Sequence, residues 1–519
     1  MTDGVDTPTR ADDGAVEPQR REAARHAGSR RARTLFGALG VTLLGAVLPG
    51  AGHVWSGRRR TGYVVLTITA ALLIALAVHF RNLDAFIDLV VDPARLRAAA
   101  VVIGIVLLLW LTVVVSCYVL VRPRGMKKWQ EALGAAVIGV LCVALAAPVA
   151  TASRYARVQA DLVTHVFQDN RTATVPADVT VEDPWGGRDR VSVLLLGGDG
   201  DVGRDGIRTD SVILLSIDTH SGESVMFSLP RNMMNAQFPV DSPLHDIYPD
   251  GFRGEGDPAF WMLNAIYGQV PALHPGILGD SDNEGADAVK QAVEGTLGVP
   301  VDYYVLVNLS GFREIVEAMG GVTVNINEPI AIQGDTDRGI PPVGYLQPGP
   351  DQRLNGYEAL WFTRGRWGSD DYERMLRQRC MIQALIDEAK PFNLLRRYEG
   401  LAEAGEDIVR TDVPSRLLSA FVDLVMRVKA SDVRSVAFVS SDEFFPGDPD
   451  FTWVRQTVQK ALAPQPADSA NDGGSDPAPG GPQSPGGPPS PGGPTAPPGS
   501  DDPSAAVSVE DSCGYHPVS

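Results

Sequence analysis

Four charged residues stand where a sheet would bring them together. Asp199 directly follows the apolar run VLLLGG, Arg208 and Asp210 come just before SVILLSID, and Arg231 follows SLP. Each flanks a short run rich in Val, Ile and Leu that predicts a strand, and strand ends on one edge of a sheet converge. Asp199 and Asp210 would suit Mg²⁺, which favours a few carboxylates plus phosphate oxygens, and arginine forks grip phosphate. A second group lies in ALWFTRGRWGSDDYERMLRQRC. Arg364 and Arg366, two apart, point to the same side of an extended stretch. On a helix starting near Asp371, Asp371, Arg374 and Gln378 fall within about 60° of one face. The alternative for this segment is a solvated helix with i,i+3 ion pairs.

Other chemistries lack their spacing. His245, His274 and the remaining histidines show no H-x-x-x-H pattern, so no zinc site is indicated. Ser228 and Ser310 have no G-x-S-x-G elbow, which argues against a serine hydrolase. The four cysteines (117, 142, 380 and 513) show neither paired spacing nor C-x-x-C, so neither a disulfide scaffold nor a zinc module is expected, and Cys380 reads as a small buried residue. A net charge of −18 would repel a polyanionic strand, so nucleic acid is not an expected partner.

The elements that must position these residues fall into zones. Residues 1–34 are polar and Arg-rich and predict a disordered basic cytoplasmic arm. Residues 35–150 form a membrane region. Its runs 62–80, 99–121 and 132–150 are each about 19 residues or more, enough to cross ~30 Å of hydrocarbon as helix. The first apolar run, broken by Pro49-Gly50, is too short to span and predicts a hairpin-like segment over 35–54. Basic residues 58–60 and 122–128 precede the first and third spans, which puts the arm inside and everything after Ala150 outside. A juxtamembrane linker covers 151–189. Strand runs at 191–197, 212–218, 224–229, 303–308 and 322–326, with helical spacing at 286–297, 311–319, 371–389 and 415–428, predict an α/β domain over 190–463. Its expected form is an extracytoplasmic α-β-α sandwich with a central mixed sheet. Residues 464–519 are Pro/Gly-rich, acidic and free of Lys and Arg, which predicts a disordered tail that does not dock.

The motifs GGDG (197–200), RTD (208–210), SLPRN (228–232), MLNAIY (262–267), VDYYVLV and MGGVTV (301–324), LNGYEAL (354–360), Arg364-x-Arg366 and Asp371-x-x-Arg374-x-x-Arg377-Gln378 occur in one order over about 190 residues. In that order and spacing the stretch resembles the LytR-CpsA-Psr family of envelope phosphotransferases. The resemblance implies transfer of a glycopolymer-phosphate from a polyprenyl-pyrophosphate carrier lipid to a peptidoglycan hydroxyl, with Mg²⁺ as cofactor and a multi-pass cell-membrane location. Carried over by residue, Asp199 and Asp210 would hold the metal, and Arg208, Arg231, Arg364, Arg366 and Arg374 the pyrophosphate, supported by Gln378. Arg231, Asp371 and Arg374 would be catalytic, Asp371 either orienting or deprotonating the acceptor or pairing with Arg374. Three positions depart from the family pattern: Asn232, Met262 and Asp201 stand where Asp, Lys and Arg are frequent. A non-catalytic carrier or polymer binder, and a polyprenyl-pyrophosphate pyrophosphatase, are the alternative readings.

Overall fold

The computed structural model describes residues 30–79, 81, 93–166, 172, 174–198, 208–334, 339–388, 409–463 and 506–517. The chain divides into two compact units, residues 1–160 and 161–519.

In the first unit, α1 (Leu35–Val47) and α2 (Ala51–Trp55) form a tight helical hairpin, followed by α3 (Arg59–His79), α4 (Pro93–Val121) and α5 (Lys128–Val166). Gly50 makes the turn with φ +102°, where a Cβ would lie 2.4 Å from the Gly62 carbonyl oxygen, so no larger residue fits. The hairpin packs on α4: the Trp110 indole donates to the Ala46 carbonyl, and Gly52 sits against the Cys117 sulfur. Among the described residues three helices are long and apolar enough to cross a membrane, Arg59–Val78, Ala94–Val121 and Lys128–Arg154. They coincide with the three runs read from the sequence.

The second unit is built on a mixed sheet of seven strands: β1 (Arg190–Gly198), β2 (Thr209–Asp218), β3 (Ser224–Leu229), β4 (Tyr303–Asn308), β9 (Val409–Thr411), β10 (Val433–Ala437) and β11 (Val507–Ser508). Their order is β11-β10-β3-β2-β1-β4-β9. β1 pairs parallel with β4, and β3 with β10; the other pairs are antiparallel. β1 is buried on both faces, which is why it reads as a near-continuous apolar run. One face packs under α6 (Ile266–Leu273), α7 (Glu284–Leu297) and α12 (Phe451–Leu462). The other is covered by α10 (Asp371–Glu388) and α11 (Leu418–Lys429). The fold is therefore the predicted α/β sandwich. Between these lie α8 (Leu309–Met319), the strands β5 (Val322–Ile326), β6 (Ile330–Ile332), β7 (Gly344–Leu346) and β8 (Gly349–Leu354), and α9 (Gly356–Arg364), with their own small core. The 322–326 run, expected in the main sheet, pairs instead with β8.

Two expectations are corrected. Residues 464–505 lie outside the described residues, but 506–517 are not an extended tail: β11 adds to the open edge of β10, and α13 (Val509–Ser512) buries Val509 in the core. Average composition conceals this, because Val507, Val509 and Cys513 are few, yet an unpaired edge strand gains from any partner. Cys513 is also disulfide-bonded to Cys380 of α10, with Cα atoms 5.5 Å apart. A sequence separation of 133 residues leaves no spacing signature. The linker also packs on the domain, through Val175, Val179 and Trp185.

The sheet is anchored at the amino ends of β1 and β4. Lys290, 1% exposed, donates to Asp412 (2.6 Å) and to the carbonyls of Asp302 and Thr174, while the second oxygen of Asp412 accepts from Tyr304 N. Asp302 in turn accepts from Ser192 N at 2.8 Å. Replacing Lys290 with Ala strands a buried carboxylate, so the domain should lose roughly 3–5 kcal/mol of stability. A thermal melt followed by near-UV circular dichroism measures this, and an unshifted midpoint contradicts it.

Candidate active site

The opposite edge of the sheet, at the carboxyl ends of β1, β3 and β4, carries the charged residues. A register shift at Gly197/Gly198 pairs those residues with Ser211 and Thr209, leaving Asp210 as the extra residue of a β-bulge. Bulges of this kind re-aim a side chain, and Asp210 lines a cavity beside β1. Arg231 follows Pro230 at the end of β3, and its carbonyl accepts from Asn264 N, which fixes the turn. The α9 helix opens on a capping box, Asn355 with Glu358, and delivers Arg364 in its last turn. Asp370 accepts from the backbone N–H groups of Tyr372 and Glu373 and so starts α10.

These elements join into one alternating chain of charge. Arg231 Nη1 donates to Asp210 Oδ1 at 2.6 Å, and its Nε lies 3.9 Å from Asp371 Oδ1. Arg374 Nη2 donates to Asp371 at 2.9 Å. The side chain of Arg374 is 4% exposed, and burial pulls its guanidinium below the ordinary value against the opposing charge of Asp371. Its Nε is buried without a hydrogen-bond partner among the described residues. Arg377 donates to the Gly365 carbonyl, and burial lowers it to about 10, still a cation near neutrality. Gln378 reaches the Thr363 carbonyl at 3.5 Å, so α10 is tied to the turn carrying Arg364 and Arg366.

Arg208, Asp210, Arg231, Arg364, Arg366, Arg374 and Gln378 all line one cavity of about 740 Å³. Arg208 and Arg366 are solvent-exposed, and Asp371 stands behind Arg231 and Arg374 as their partner. Asp199 and Asp201 lie outside the described residues. Among the described residues no group of three or more His, Cys, Asp and Glu side chains is placed to hold a metal.

Much of the rest of the cavity is apolar, and sequence reasoning missed it. Leu195, Ile213 and Val305, further back along β1, β2 and β4, line it together with Ile382 and Ile386 on later turns of α10 and Val425 on α11. From Arg374 to Ile386 the helix advances roughly 18 Å, so the cavity leads from the arginines along the underside of the sheet. Such residues read from sequence as core. Asn264 was also missed: it is 4% exposed, lines the cavity, and its Oδ1 has no partner among the described residues. The polar residue inside MLNAIY was its one signal.

Residues 155–462 match the model of the LytR_cpsA_psr family. A Bacillus cereus protein named polyisoprenyl-teichoic acid--peptidoglycan teichoic acid transferase TagU is 30% identical over 226 residues, 43% of this chain and 60% of that protein. The Enterococcus faecalis protein of the same name is 28% identical over 226 residues, 43% of this chain and 61% of its own. The chain thus spans about 60% of the length of these curated relatives. Among solved structures, B. subtilis TagV is similar at 24% identity and a TM-score of 0.37, covering 52% of this chain and 96% of that one.

A buried guanidinium whose Nε has no partner among the described residues, flanked by four more arginines, should bind a small polyanion. Inorganic pyrophosphate should bind the intact protein, and Arg374→Ala should weaken binding about tenfold or more, the scale of one hydrogen bond to a charged group. Isothermal titration calorimetry reads this directly; equal affinities would remove Arg374 from the site.

Proposed function

The chain belongs to the LytR_cpsA_psr family, and on that premise we propose that it is a membrane-anchored phosphotransferase acting outside the membrane. It takes a glycopolymer joined through pyrophosphate to a polyprenyl lipid and moves the polymer-phosphate to a peptidoglycan hydroxyl. A teichoic-acid-type polymer is the substrate class that the names of its relatives suggest. The observation that carries the reading is the shape of the site: one cavity joins an arginine-lined mouth to an apolar interior, the form that a pyrophosphate with a long hydrocarbon tail requires. The Cys380–Cys513 disulfide supports an oxidising, extracytoplasmic setting for the domain.

In this mechanism Arg231 and Arg374 hold the two phosphoryl groups, with Arg208, Arg364 and Arg366 at the mouth. The acceptor oxygen bonds to the phosphorus that bears the glycan, and the bond from that phosphorus to the bridging oxygen breaks, releasing polyprenyl phosphate. Phosphoryl transfer of this kind is mostly alignment and charge neutralisation, so oriented guanidiniums do most of what the reaction needs. Asp371, held between Arg374 and Arg231, is assigned the positioning of both. Asp210 on the cavity wall fits a metal site of the kind Mg²⁺ uses, one or two carboxylates completed by phosphate oxygens. Asp210 and Asp199 would hold the ion, which when bound neutralises charge on the phosphates.

Incubating the full-length protein in lipid with a labelled polyprenyl-pyrophosphate glycan and peptidoglycan should move label into peptidoglycan and release polyprenyl phosphate, with loss of transfer on chelation. Label appearing only in water-soluble hydrolysis products would establish a pyrophosphatase instead. Asp210→Ala and Arg231→Ala should each cost roughly 2–4 kcal/mol in transition-state stabilisation. Because the two are paired at 2.6 Å, the double variant should lose much less than the sum. Val425→Trp should weaken binding of a long prenyl pyrophosphate while leaving inorganic pyrophosphate binding unchanged, and equal loss for both ligands would refute the apolar assignment.

A further inference from the structure

The last described residues meet three separate parts of the second unit. Val507 and Ser508 pair with Ser435 and Arg434 at the edge of the main sheet. Cys513 is bonded to Cys380 on α10. Beyond it, the Cys513 carbonyl accepts from Asn325 Nδ2 at 2.9 Å, the Gly514 carbonyl from Asn327 Nδ2 at 3.3 Å, and His516 N donates to Asn327 Oδ1 at 2.8 Å, on and just after β5. The segment thus links the main sheet, α10 and the small sheet. Cys380 is two residues beyond Gln378 and six beyond Arg374, so the bond grips the helix that presents both to the cavity.

A segment held by a two-residue strand, one buried valine (Val509) and a few hydrogen bonds has a small docking surface by itself, whereas a covalent crosslink makes its docking intramolecular. We propose that the Cys380–Cys513 disulfide is a positioning site: its closure straps the C-terminal segment across α10 and holds the Arg374–Gln378 turns in the geometry that binds the donor. This rests on the reading of the cavity as a prenyl-pyrophosphate site. In the closing step the two thiols lose two protons and two electrons as the S–S bond forms. The oxidant is the disulfide of a thiol–disulfide oxidoreductase, which passes through a mixed disulfide and leaves as a dithiol. Cys117 and Cys142 are free thiols in the first unit, so the change in thiol number on reduction reports this one bond.

The test uses the full-length chain in lipid nanodiscs, oxidised, reduced with a phosphine, and reoxidised. Peptide mapping without reductant should find Cys380 joined to Cys513. On reduction, hydrogen exchange should quicken at residues 374–381 and 433–437 and stay unchanged in α7, and affinity for geranylgeranyl pyrophosphate should fall about tenfold, the effect expected when a binding group is slightly misplaced. Reoxidation should restore both, and the Cys380→Ser/Cys513→Ser double variant should behave as the reduced protein and ignore the phosphine. Free thiols at both positions in the purified protein, or unchanged exchange and affinity on reduction, overturn the proposal. Exchange that quickens equally in α7 also overturns it, since the bond would then be a general stabiliser. If the oxidised protein binds no geranylgeranyl pyrophosphate, the donor-site reading fails, and the exchange pattern alone decides whether the strap holds α10.

Discussion

A guanidinium taken almost wholly out of water is the constraint around which the site is arranged. Arg374 is 4% exposed, and a buried cation is tolerated only when anions and acceptors replace its hydration. Asp371 meets part of that need, but among the described residues Arg374 Nε has no partner. Asp371 is shared with Arg231, and Arg231 with Asp210, so residues from β2, the turn after β3 and α10 must hold their places together. With five arginines on the cavity wall, the cluster carries a surplus of positive charge that a bound polyanion completes. In a chain of net charge −18 this surplus is local and directed at one ligand.

The fold meets this demand by separating anchoring from display. At the amino ends of β1 and β4 the satisfied Lys290–Asp412–Asp302 network holds the strands. At their carboxyl ends backbone irregularity is used instead: the bulge turns Asp210, and the Gly365 turn, gripped by Arg377, carries Arg364 and Arg366. Between the sheet and α10 the cavity of about 740 Å³ runs from the arginines to a wall that includes Leu195, Ile213, Val305, Ile382 and Ile386. One cavity thus offers charge at one end and apolar side chains at the other.

The charged half of the site is legible in the sequence because charge at strand ends and at i, i+3, i+7 on a helix is governed by local periodicity. The strands at 191–197, 212–218 and 303–308 are legible for the same reason, being β-branched and buried on both faces. The apolar half is not legible, since Ile213 lining a cavity and Ile217 filling a core are the same residue type at the same period. Long-range pairing is also hidden. Cys380 and Cys513 have no spacing rule to connect them, and β10, five residues with Arg434 and Ser435 in succession, has little apolar pattern until a neighbour covers it. The position of β5 beside β8 likewise depends on register that no local run encodes.

The three departures from the family pattern fall unevenly on this geometry. Asn232 is exposed, and Met262 bridges Met234 through the backbone, so neither side chain belongs to the cavity wall. The arginines that line the cavity are unaffected by either. On the proposed reading, the apolar interior binds the lipid chain equally in ground and transition states and so sets how tightly the donor is held. The arginines act on charge that redistributes as the phosphoryl group moves, and so set the rate. Changes at Asn232 and Met262 alter neither of those terms directly. They alter the turns around Arg231, whose carbonyl is held by Asn264 N, and the surface next to the mouth across which a polymer and its acceptor must pass. Asn232 and Met262 therefore leave Arg208, Arg231, Arg364, Arg366 and Arg374 on the cavity wall.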